Sequence, residues 1–132
     1  MPRTWRRREP LEISPARLTT STAGYAEFEI PEAELINASY ALPFCAPERF
    51  EEVWARVVRA LPRGGRFAGQ FFGDQDDWAV MADRTHHTRP QVERLLKDFV
   101  IEQLNEIQNY EAGVTGTLKN WHIFHVVARK VR

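Results

Sequence analysis

Apolar positions at Phe50, Val53, Trp54, Val57, Val58 and Leu61 recur every three or four residues, and charged side chains such as Glu48, Arg49, Glu51, Glu52, Arg56 and Arg59 fill the intervals. This spacing predicts an amphipathic helix that starts with Pro47 in its first turn and stops at Pro62-Arg-Gly-Gly65. A second helix is predicted from Thr88 and Gln91, which have capping-box spacing, followed by the apolar stripe Val92, Leu95, Leu96 and Phe99.

Between and after these helices the pattern changes to that of strands. The run from Leu35 loses strand character at Pro43, which has no N–H for a central ladder, so a buried strand is predicted to end near Ser39 or Tyr40. Residues 66–72 carry little polar content and read as a strand inside a sheet. Residues 100–107 and 121–131 read as the last two strands, with 109–119, which contains Gly113 and Gly116, as their connection. The β-branched residues at 18–22 predict a short additional strand. The order strand, helix, strand, helix, strand, strand implies an α/β fold in which helix-linked strands run parallel and the last strand is antiparallel to the one before it.

Composition narrows the functional classes. The 132 residues, 43% hydrophobic, suffice for one core, and the balance of 18 basic against 18 acidic residues provides no net field for nucleic acid or an anionic membrane. Charge therefore favours small-molecule or protein partners. Residues 1–16, with Arg3, Arg6, Arg7 and Arg8 among three prolines, read as a flexible basic tail ahead of a domain at 17–132. No apolar run reaches the roughly 18 residues of a membrane span, and the amino terminus has no apolar core of a secretion signal, which places the chain in the cytoplasm. Cys45 is the lone cysteine, so no internal disulfide forms. The pairs His86, His87 and His122, His125 suggest metal, but strand alternation sends His122 and His125 to opposite faces, so no metal site is expected.

Several blocks carry a family resemblance. Leu61-Pro-Arg-Gly-Gly-Arg-Phe67 resembles the turn before the fifth strand of class I S-adenosylmethionine-dependent methyltransferases, although Arg63 stands where proline is usual. LINASYALPFC at 35–45, FAGQFFG at 67–73, THHT at 85–88 and WHIFHVVARK at 121–130 together are similar to a bacterial subgroup of that family. The resemblance implies a partial Rossmann-like methyltransferase sheet, from the family's fourth strand onward, with helices on its faces. It also implies S-adenosylmethionine as cofactor. The acidic, glycine-rich turn that grips this cofactor is missing, since Gly24 is the only glycine before Gly64.

In open parallel sheets ligands sit at the carboxyl ends of strands. The resemblance therefore implies Asn37, Ala38 and Ser39, with Glu27 and Phe28 after the preceding strand, as cofactor-binding residues. It implies Tyr40, Gln70, Phe72 and Trp78 as substrate-binding residues. No catalytic residue is assigned, because displacement at a sulfonium needs alignment and a dry pocket more than acid or base catalysis.

Two expectations follow. The chain is the truncated carboxyl half of a methyltransferase acting on a small molecule, with little cofactor affinity of its own. Alternatively it is a non-enzymatic α/β remnant that forms a homodimer through the sheet edge left unpaired by the missing first strand.

Overall fold

The computed structural model describes residues 17–25 and 27–132. The basic tail expected at 1–16 lies outside the described residues.

The helix read from the apolar repeat is α1 (Pro47–Ala60), which buries Phe50, Val53, Trp54 and Val57. It follows the short strand β1 (Leu35–Ala38) and a 3-10 turn at Leu42–Phe44. β2 (Arg66–Gly73) comes next, then β3 (His86–His87), α2 (Arg89–Leu95), β4 (Phe99–Ala112) and β5 (Leu118–Lys130). The capping box forms as predicted: Gln91 N–H donates to Thr88 Oγ1 at 3.3 Å and Thr88 N–H donates to Gln91 Oε1 at 2.8 Å.

The sheet order is β1-β2-β5-β4. β1 runs parallel to β2, whereas β5 is antiparallel both to β2 and to β4. β2 is therefore interior, as its low polarity predicts. The parallel strands β2 and β4 do not meet, because β5 is inserted between them. β3 pairs in parallel with Phe72 and Gly73, on the edge of β2 that β1 leaves after Ala38 faces Gly69.

Four sequence expectations are corrected. Residues 18–22 form no strand and are largely exposed, because no neighbour offers them a ladder. β1 is an edge strand whose alternate residues are exposed, not a buried one, since among the described residues only β2 flanks it. Phe99 leaves the helical stripe to open β4, although it stays buried in the same core. The connection expected over 109–119 shrinks to the turn between Ala112 and Leu118, because Asn109, Tyr110, Glu111 and Ala112 continue the ladder opposite Trp121, Asn120, Lys119 and Leu118. Gly116 closes this turn with φ 83°, a backbone region that favours glycine.

One core joins both helices to one face of the sheet. Phe67 and Phe71 of β2 and Phe124, Val126 and Ala128 of β5 pack against α1, Val92 and Leu96. Trp54 is the hinge of this packing. Its ring meets Phe67 edge-on at 5.0 Å, and its indole N–H donates to Leu95 O at 3.1 Å, so α1 is tied to the end of α2.

The carboxyl end of the chain also holds α1. The last carbonyls of a helix lack internal partners. Lys130 Nζ donates to Val58 O and Leu61 O, both at 2.7 Å, and backbone bonds between Lys130 and the Gly64-Gly65 turn close the same junction. A cation is favoured at this end of a helix dipole.

Gly73 ends β2 where the His122 ring crosses its backbone. A Cβ there would lie 2.0 Å from His122 Nδ1. Gly73→Ala must displace a buried imidazole and is expected to cost about 2 kcal/mol, the usual scale of overpacking. Urea unfolding of the variant measures it.

Candidate functional site

The sheet opens where β1 departs from β2. Asn37 and Ala38 end β1, and Ser39 Oγ donates to Asn37 Oδ1 at 2.7 Å. Tyr40 turns the chain away with φ 50°, and its N–H donates to Gln70 Oε1 at 2.6 Å. A non-glycine residue takes this left-handed conformation at some cost, here offset by the side-chain amide. His125, opposite Gln70 in the ladder, meets the Tyr40 ring edge-on at 6.3 Å.

Asn37, Ser39, Gln70 and His125 line a depression of about 210 Å3 that also includes Gln103 and holds no carboxylate, lysine or arginine among its lining, and Tyr40 adjoins it through Gln70 and His125. The structure thus gathers Asn37, Ala38, Ser39, Tyr40 and Gln70 at one mouth. Asn37 Nδ2 and Gln70 Nε2 remain available as donors among the described residues.

Phe72 and Trp78 belong to an adjoining aromatic cluster. Phe72 lies 5.6 Å from Phe44 and 5.9 Å from Trp78, and Trp78 lies 5.1 Å from Trp121. The Arg84 guanidinium caps the cluster from outside, 4.7 Å from the Trp78 ring. From inside, Lys119 Nζ lies 3.5 Å from the Trp121 centroid and 3.7 Å from that of Trp78. A cation over two indole faces gains electrostatic attraction in addition to its ion pair.

That ion pair is buried. Lys119 and Asp76 are 5% and 3% exposed, and Nζ donates to Asp76 Oδ1 at 2.6 Å. The carboxylate also accepts the N–H groups of Trp78 at 2.9 Å and His122 at 3.0 Å, so the loop after β2 is fastened to β5. His122 Nδ1 accepts from Gln75 N–H at 3.0 Å, which puts the ring proton on Nε2, where it is donated to Glu106 at 2.7 Å. This bond, aided by Arg89, holds the Glu106 carboxyl below the ordinary carboxylate range.

The remaining histidines of β3 point to different neighbours. His86 lies against Phe72 with Nε2 3.9 Å from Asp76, whereas His87 lies between Phe50 at 4.7 Å and Phe71 at 5.7 Å. Burial lowers both pKa values, that of His87 from 6.5 to about 4. Among the described residues no three His, Cys, Asp or Glu side chains gather in a metal-binding group.

Glu27 and Phe28 are not brought to the mouth. Glu27 accepts from Gly24 N–H at 3.1 Å and lines a groove with Arg56, Arg59 and Ala60, beside the carboxyl end of α1. The Phe28 carbonyl accepts from Arg56. Sequence reasoning weighed His125 only as a metal ligand, and passed over Asp76 and Lys119. The alternation of His125 between buried Phe124 and Val126 was a usable signal for the first; the other two, 43 residues apart, were not.

No family model matches the chain, and no curated protein sequence matches it. Solved structures do. TehB from Haemophilus influenzae superimposes with a TM-score of 0.75 at 14% identity, over 95% of this chain and 44% of that one. A 1,6-didemethyltoxoflavin-N1-methyltransferase from Burkholderia thailandensis, holding 1,6-didemethyltoxoflavin and S-adenosylhomocysteine, gives 0.65 at 19% identity over 100% and 58%. A SAM-dependent methyltransferase from Methanosarcina mazei gives 0.55 at 14% over 96% and 76%. The chain spans about half the length of the first two, and over that span it has the fold of class I S-adenosylmethionine-dependent methyltransferases.

Lys119→Met keeps the apolar contacts and strands the Asp76 carboxylate. Loss of one partner of a buried pair is expected to cost about 3 kcal/mol, and Asp76→Asn with Lys119→Met should cost less than the sum of the two single changes, as a double-mutant cycle in urea will show. The His87 shift has a sign as well. The native ring stays neutral while the unfolded chain takes up a proton below pH 6.5, so stability is complete above 6.5 and falls as pH drops toward 4. His87→Phe should flatten the dependence of unfolding free energy on pH across that window, a contribution of at most about 3 kcal/mol.

Proposed function

We propose that the mouth formed by Asn37, Ser39, Tyr40 and Gln70 is the acceptor side of a methyltransferase site. The observation that carries this reading is their convergence where β1 separates from β2, at the carboxyl ends of parallel strands, within a methyltransferase fold. S-adenosylmethionine, when bound, supplies an electrophilic methyl group. The residues present fit one flank of it: the Asn37 amide as donor and the Ser39 hydroxyl oxygen as acceptor suit its methionine end beside the Ala38 backbone, but no glycine-rich turn is available to grip it.

On this reading Tyr40 and Gln70 orient the acceptor, and Phe72 and Trp78 wall the pocket against water. Exclusion of water and alignment are what the displacement needs. Glu27 and Phe28 serve adenine only if the segment that carries them swings away from α1. Support for a small-molecule acceptor, and against nucleic acid, comes from the neutral balance of charge and from the depression, which offers no cation to a phosphate backbone. No helix among the described residues is long and apolar enough to cross a membrane.

A second reading, a homodimerisation module without enzymatic activity, is favoured by one observation. Among the described residues β1 has a ladder partner on one side only, and Leu35 on it is 61% exposed.

Titration calorimetry of the 132-residue chain with S-adenosylmethionine tests the first reading. Weak or absent binding is expected, since the anchoring turn is missing, and micromolar affinity would contradict this account of the site. Light scattering on the same sample separates the readings: a stable dimer with sharp thermal unfolding supports the second, and a monomer counts against it.

A further inference from the structure

On the helix-covered face of the sheet, away from the mouth, α1, β3 and α2 enclose a groove of about 530 Å3. That volume falls in the range of small-molecule sites, roughly 300–1,000 Å3. Phe50 and Trp54 provide an aromatic floor, and His86 and His87 line one end.

Two observations point to a ligand. Among the described residues the buried side-chain polar atoms without a hydrogen-bond partner are His86 Nε2, which is turned toward Asp76 at 3.9 Å, and His87 Nδ1, whose ring lies beside Phe50 of this groove. Buried polar atoms are seldom left unsatisfied, because each forfeits its hydration without return. The second observation is charge. Arg94 and Lys97 on the α2 wall and Glu51 on the α1 wall take part in none of the ion pairs among the described residues. With neutral histidines the lining is left with one net positive charge.

We propose that this groove binds a small organic anion: a flat apolar ring bearing a carboxylate. The ring lies on Phe50 and Trp54, the carboxylate is drawn to Arg94 and Lys97, and a polar atom of the ligand bonds His87. Glu51 on the facing wall excludes a second acidic group. This site is distinct from the mouth and does not depend on methyl transfer.

The test uses three indole probes of one shape and different charge, titrated into the 132-residue chain and followed by NMR. Indole-3-acetate is expected to bind saturably at or below about 1 mM, on the order of tenfold tighter than neutral 3-methylindole, with tryptamine weakest. Arg94→Gln with Lys97→Gln, both exposed, the first on α2 and the second in the turn after it, should erase the preference for the acid without changing the fold. His87→Phe should weaken indole-3-acetate and raise the melting temperature, since it removes an unsatisfied buried atom; a melting temperature that rises with binding unchanged would remove His87 from the site. The proposal is overturned if indole-3-acetate fails to saturate, if tryptamine binds as well, or if the double glutamine variant keeps the preference.

Discussion

Every other part of the architecture depends on β5 lying antiparallel between β2 and β4. Its register with β2, from Arg66 opposite Arg129 to Phe72 opposite Ile123, sets Phe124 and Val126 beneath α1 and His125 beside the mouth. At one end Lys130 caps α1; at the other Lys119 fastens the loop that carries Trp78. A slip by one residue would turn Phe124 to the open face and His125 into the core, reversing the chemistry of both layers.

The two faces of the sheet are unlike. Sheets covered by helices on both sides have strands that read as continuous apolar runs. Here β2 and β5 are apolar toward the helices, whereas Asn37, Gln70, Gln103, Asn105 and His125 and the linked charges of Arg66, Glu102 and Arg129 populate the other face. That polarity suits contact with water or with a hydrogen-bonding ligand, and the proposed mouth is cut into its upper rim. The proposed anion groove uses the opposite layer, so the two sites are separated by the thickness of the sheet.

How far the sequence disclosed this depends on the kind of information each part required. α1 was legible because Phe50, Val53, Trp54 and Val57 encode their own periodicity, and α2 because Thr88 and Gln91 satisfy each other locally. β3 was not, since two residues carry no period, and the polar stretch from Asn109 to Glu111 hid the continuation of β4 behind loop-like composition. Asn37, Ser39, Tyr40 and Gln70 were foreseeable once strand ends were placed. The cage around Lys119 depends on the hairpin register and on a turn at Asp76, information that no local window contains. The burial of His87 without a partner likewise appears only when α1 and β2 are seen together.

The central position of β5 has a consequence for biosynthesis. A ribosome delivers β1, α1 and β2 before β4 and β5, so the strand that shields the inner edge of β2 and completes the phenylalanine layer emerges after them. Until β5 has been made, Phe67 and Phe71 have no neighbour from it, and a nascent chain in that condition offers an apolar, unpaired edge to other chains. Closure of this sheet thus waits on β5, with chaperone capture competing against that strand for the same surface.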